Sequence, residues 1–142
     1  MKQQNFKNHG KWVIGYHLIT FFAILLLIVG SIRGFLKSSD DNLYPASLLI
    51  LISFILLFMF YFLRIFALKA QDRAIRSEEK LRYYILTGKV LSSKITTRQI
   101  IGLRFASDEE FPMLVEKAEK ENLSEKEIKA AIQNWKEDLY RA

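Results

Sequence analysis

At 142 residues with no cysteine, the chain excludes disulfides, thiolate metal sites, a cysteine nucleophile and a cysteine-borne lipid anchor. Its net charge of +6 would ordinarily suggest a nucleic-acid partner, but the positive charge lies beside two apolar runs, where the positive-inside rule places it. Lys2, Lys7 and Lys11 precede the first run without an acid; 69–104 holds nine basic residues against three acidic ones, and 105–142 six against ten.

The first run, 12–32, is free of formal charge and matches the ~20 residues a helix needs to cross a bilayer core. It is too long for a signal-peptide core and lacks a small-residue cleavage site, so a spanning helix is expected. The second run, 44–68, is interrupted only by Arg64, with Pro45 at its start, where a missing N–H costs nothing. The connection RGFLKSSDDN is short and charge-balanced, so the two helices are expected as an antiparallel hairpin. The basic flanks outvote the loop and place both ends in the cytoplasm, with the loop across a bacterial inner membrane.

Trp12, Tyr16, Tyr44 and Tyr61 stand near the run ends, where interfacial aromatics collect. His17 and Arg64 are the ionisable residues inside the spans, both toward the cytoplasmic leaflet. They define a candidate intramembrane polar site; snorkelling of Arg64 and a local hydrogen bond to His17 are the simpler account. Gly30 and Gly34 form a GxxxG pair, but at the loop end with Arg33 between them, where turn chemistry explains them equally well.

After Leu68, good helix formers continue to Gly88, a C-terminal stop, so the second helix is expected to run on as a stalk. Ala70, Ala74, Leu81 and Ile85 recur near one face of it. Three shorter helices should follow. Thr96 or Thr97 starts the first, with Thr96 and Gln99 forming a capping box, and it runs to about Ala106. Ser107 and Glu110 make a second box before Phe111, Leu114, Val115 and Ala118, with Pro112 blurring the start. Ser124 and Glu127 make a third, stapled by Leu123 and Ile128, with Ile128, Ala131, Ile132, Trp135 and Leu139 as one apolar stripe. Helices this short must bury those stripes, against one another or against a partner.

The segments QNFKNHGKW, TTRQIIGLRFASDEEFPML and LSEKEIKAAIQNWKEDLYR resemble an uncharacterised bacterial family of small two-span membrane proteins, a domain of unknown function. The likeness covers nearly the whole chain and implies the architecture without an activity. It also marks Asn5, Asn8 and His9, before the first helix, as a candidate contact site.

The expected fold is therefore an all-α membrane protein. A two-helix transmembrane hairpin in residues 1–68 is joined to a cytoplasmic tail, 69–142, made of a helical stalk and three short helices. No catalytic set, cofactor motif or metal cluster emerges, because His9 and His17 are the only histidines and no phosphate loop, HExxH or GxSxG is present. A non-enzymatic scaffold or accessory role is expected, with the tail contacting a protein partner or a second copy through Trp135 and Leu139. The alternatives are a lipid-responsive surface formed by Arg73, Arg76, Lys80, Arg82 and Lys89, where each charge near anionic headgroups is worth ~1 kcal/mol, and a transport or channel subunit using His17 and Arg64. Nucleic acid is not an expected partner, since the acidic 108–121 segment would repel phosphates.

Overall fold

The computed structural model describes residues 4–6, 10 and 12–138. Two compact units emerge: Trp12–Ala67, and Met1–Lys11 together with Leu68–Ala142. The N-terminal segment thus groups with the tail and not with the apolar helices.

In the first unit, a short stretch of π-helix, Gly15–Thr20, leads into α1, Phe21–Leu36. The Thr20 hydroxyl donates to the Gly15 carbonyl five residues back at 2.9 Å, matching the wider π register. A single 3₁₀ turn, Asp40–Asn42, then leads into α2, Leu43–Thr87, with Pro45 in its first turn. Gly30 and Gly34 lie inside α1, not in a turn, and a Cβ at either would meet nothing within 4 Å. Among the described residues, no close helix approach depends on them. The buried hydroxyls of Ser31 and Ser53 donate to the carbonyls of Ile28 and Ile50 on their own helices, so neither leaves a polar group unsatisfied. Near the start of the unit, the Tyr16 ring stacks on Phe60 at 4.4 Å and its hydroxyl donates to the Phe60 carbonyl.

Two helical stretches, Gly15–Leu36 and Asp40–Thr87, are long and apolar enough to cross a membrane. Only 11% and 6% of their most apolar windows are buried. Leu26, Leu49, Phe58 and Phe66 stand open.

In the second unit, α2 ends at Gly88, whose φ of +68° supplies the left-handed stop. Three short helices follow: α3, Thr97–Leu103; α4, Phe111–Glu121; and α5, Glu125–Ala131. Their core gathers Ile75 and Tyr83 from α2, Leu91 and Ile95 from the connection, Ile100 and Leu103 from α3, Phe111, Val115 and Ala118 from α4, and Ile128 from α5. The apolar stripes of the tail therefore pack on one another.

The capping boxes at Thr96/Gln99 and Ser124/Glu127 form in full, each with its reciprocal backbone bonds. Ser107 and Glu110 do not close one. The Ser107 hydroxyl accepts the Glu110 N–H at 3.4 Å, but the Glu110 carboxylate turns away, and the helix begins at Phe111. That carboxylate instead accepts the N–H groups of Gln133 and Asn134 at 3.1 and 2.7 Å. Diverting those two donors ends the last helix at Ala131, well short of the expected stripe through Trp135 and Leu139. Residues 132–138 run without helix. Trp135 pairs with Ala106 in an isolated antiparallel bridge, and the Lys136 N–H donates to the Phe105 carbonyl at 2.7 Å. The same pairing ends α3 before Ala106.

Candidate functional site

One heavily engaged side chain of the tail is Arg82 on α2. Its Nη1 meets Glu79 at 3.0 Å, its Nη2 donates to the Ala106 carbonyl at 2.7 Å, and its Nε donates to Asp108 at 2.7 Å. The guanidinium carbon also lies 4.3 Å from the centre of the Phe111 ring. A planar fork of five donors suits such convergence, and a lysine could not reproduce it. Burial pushes the Glu79 carboxyl above its usual range, with the bond and charge of Arg82 opposing. Asp108 is held below its usual range by its hydrogen bond to Arg82 and by that residue's charge. Arg82 thus ties α2 to the α3–α4 connection and is not free to contact lipid.

The other proposed lipid contacts, Arg73, Arg76, Lys80 and Lys89, are all exposed. Beside them Leu81, Tyr84 and Ile85 are 60%, 54% and 71% exposed. This face of α2 points away from the tail core.

Trp135 is half-buried, its ring stacked on Phe105 at 4.6 Å. Phe105 is wholly buried, with Arg104 4.5 Å from its ring centre and Lys129 at 5.3 Å. Trp135 is therefore engaged by the tail itself. Asn5 is exposed and helps line an open cleft of about 530 Å³ shared with Ser107, Asp108, Asn134 and Lys136. Asn8, His9 and Leu139 lie outside the described residues.

Beside Asn5, Gln4 shows what the N-terminal segment does. Its side-chain carbonyl accepts the Asp138 N–H at 2.8 Å, its side-chain amide donates to the Asp138 carbonyl at 3.3 Å, and its backbone N–H donates to Glu137 at 2.8 Å. Sequence reasoning passed over Gln4, Glu79 and the role of Arg82, and gave Glu110 a capping role in place of its bonds to Gln133 and Asn134. A buried glutamine far from any helix start leaves no periodic signal.

In the other unit, the His17 Nδ1 lies 3.0 Å from the Val13 carbonyl, and its ring stacks on Trp12 at 4.6 Å with Tyr16 edge-on at 5.2 Å. Arg64 is half-buried and makes no hydrogen bond or ion pair with a described residue. No hydrogen bond, ion pair or ring contact joins the two. Among the described residues no cluster of three or more His, Asp or Glu could hold a metal ion.

The model of a family of unknown function (DUF6526) matches residues 1–142. No curated protein and no solved structure matches the chain.

Proposed function

The chain belongs to that family of unknown function, DUF6526, and we propose that it is a non-enzymatic membrane-anchored scaffold: two spans form a hairpin that holds a folded cytoplasmic helical module for contact with other proteins. The observation that carries this reading is the contrast in burial. Helices that form the core of a soluble protein are mostly buried, whereas these apolar windows are only 11% and 6% buried while the tail closes a core of its own. Exposed apolar surface on that scale belongs in lipid, where a helix also satisfies every backbone group internally.

The topology we propose draws on the same contacts. The hydrogen bonds of Gln4 to residues 137 and 138 support one shared side of the membrane for the segments flanking the two apolar helices, in keeping with an even number of crossings by the two candidate spans. The excess of basic residues in 69–104 favours the cytoplasm of a bacterial cell for that side.

The test uses the absence of native cysteine. Alkaline carbonate should leave the chain in the membrane. A membrane-impermeant maleimide should label Ser38→Cys in intact cells and Lys117→Cys only after permeabilisation. Release by carbonate, or labelling of Lys117→Cys in intact cells, overturns the reading.

A second reading is favoured by the exposed Arg73, Arg76, Lys80 and Lys89 beside Tyr84 and Ile85: the stalk lies on anionic headgroups. Binding to anionic vesicles that vanishes at high salt would support it.

A further inference from the structure

The tail covers only one side of α2. Ile75, Glu79 and Tyr83 are buried there and Arg82 is nearly so. On the opposite side Ala70, Ala74, Ser77, Leu81 and Tyr84 are all exposed. Their spacings of four, three, four and three residues are the a/d repeat of a coiled-coil seam. The covered residues occupy the b, c and f positions of that repeat. Small residues through Ser77 permit close backbone approach, and Leu81 and Tyr84 supply the apolar contact.

We propose that this face of α2 pairs with the same face of a second copy of the chain, forming a parallel two-helix stalk. Charge complementarity selects this occupant. Arg73 falls at a g position and Glu78 at the e position five residues on, the offset at which g and e residues meet across a parallel seam. Two-fold symmetry makes that contact twice. Both residues are exposed, and neither forms an ion pair with a described residue of its own chain. Lys80, the next g residue, meets Ile85 and lays its aliphatic stem over it. A headgroup-binding face would be basic on both flanks, whereas here one flank carries Glu78, and Ala70, Ala74 and Ser77 offer almost nothing to insert. The parallel orientation rests on the anchored-hairpin reading, because copies inserted with one topology present their stalks side by side.

The experiment uses the full chain in native membranes with single introduced cysteines. On mild oxidation Ser77→Cys, on the seam, should give a disulfide-linked dimer in several-fold higher yield than Arg76→Cys, at a lateral c position. Arg73→Glu should cut the Ser77→Cys yield several-fold, and adding Glu78→Arg should restore it. Equal yields at the two positions, or a double reversal that stays low, overturns the pairing. So does labelling of Ser77→Cys by a lipid-phase probe, or crosslinking to a different protein in place of a dimer. Those failures leave the anchored-module reading standing, provided carbonate still leaves the chain in the membrane.

Discussion

Arg82 answers several demands with one side chain: it offsets a buried carboxylate, satisfies the Ala106 carbonyl where α3 has ended, and holds Asp108 before α4 begins. Removing it leaves Glu79 buried and unpaired, and breaking such a pair from one side costs about 3–5 kcal/mol. Arg82→Ala should therefore unfold the tail at a much lower temperature, seen as loss of Trp135 burial in a Trp12→Phe background. Arg82→Lys should recover only part of the loss, since an ammonium cannot span Glu79, Asp108 and Ala106 together. The two carboxylates also set opposite pH dependences. Folded Glu79 binds its proton more readily than the unfolded chain does, so stability rises as pH falls through the range just above the ordinary 4.5. Folded Asp108 binds its proton less readily than the ordinary 3.8 implies, so its stabilising bond is lost as pH falls below that value. In thermal melts in detergent, the combined contribution of the two should be greatest between those ordinary values of 4.5 and 3.8. Glu79→Gln should flatten the rise above 4.5 and leave the acid limb in place.

Elements whose signal is local were legible in advance. The stalk to Gly88 and the starts of α3 and α5 follow from helix formers, a glycine stop and two capping boxes, each complete within four residues of chain. What failed did so because distant groups intervened. Glu110 was read as the third residue of a box, yet Gln133 and Asn134 offered it two N–H donors. The stripe from Ile128 to Trp135 has good helical spacing, but Phe105 and its carbonyl draw Trp135 and Lys136 into an extended pairing. Of the candidate site, the exposed basic residues of the stalk could be found from sequence. The bonds of Arg82 to Ala106 and Asp108 and the Gln4 contacts could not, because those partners lie 24 and more residues away. One contact between elements gives a sharp prediction. Gly102 in α3 faces α5, and a Cβ there would stand 3.1 Å from the Glu125 carbonyl oxygen and 3.2 Å from Ile128 Cγ2. Neither neighbour is the free end of a flexible chain, so overpacking, about 1–3 kcal/mol, should outweigh the roughly 0.5–1 kcal/mol an alanine gains within a helix. Gly102→Ala should lower the melting temperature of the tail by several degrees, and Gly102→Val should lower it further.

At the scale of the whole molecule, the two ends of the described chain meet through Gln4 and the 137–138 backbone, with both apolar helices lying between them in sequence. Under the topology proposed above, this contact ties folding to insertion, because the last extended segment of the tail is completed by residues that precede the first helix. Gln4 is 8% exposed, and its side chain makes two of the three bonds. Truncating it leaves the Asp138 N–H and carbonyl without those partners, and neutral hydrogen bonds of this kind are worth about 0.5–1.5 kcal/mol each. Gln4→Ala should therefore loosen residues 134–138 selectively, with faster amide exchange at Lys136 and Asp138 and little change at Leu103 or Val115 in the core. Gln4→Glu should behave differently. It keeps an acceptor for the Asp138 N–H but loses the amide donor, and it sets a negative charge beside the carboxylates of Glu137 and Asp138, so its exchange rates should fall toward those of the native chain as pH drops below the carboxylate range. Uniform acceleration across the core would show that the N-terminal contact supports the whole tail. Acceleration confined to 134–138 would show that it closes a latch on a module already folded, which is the outcome the self-contained core implies.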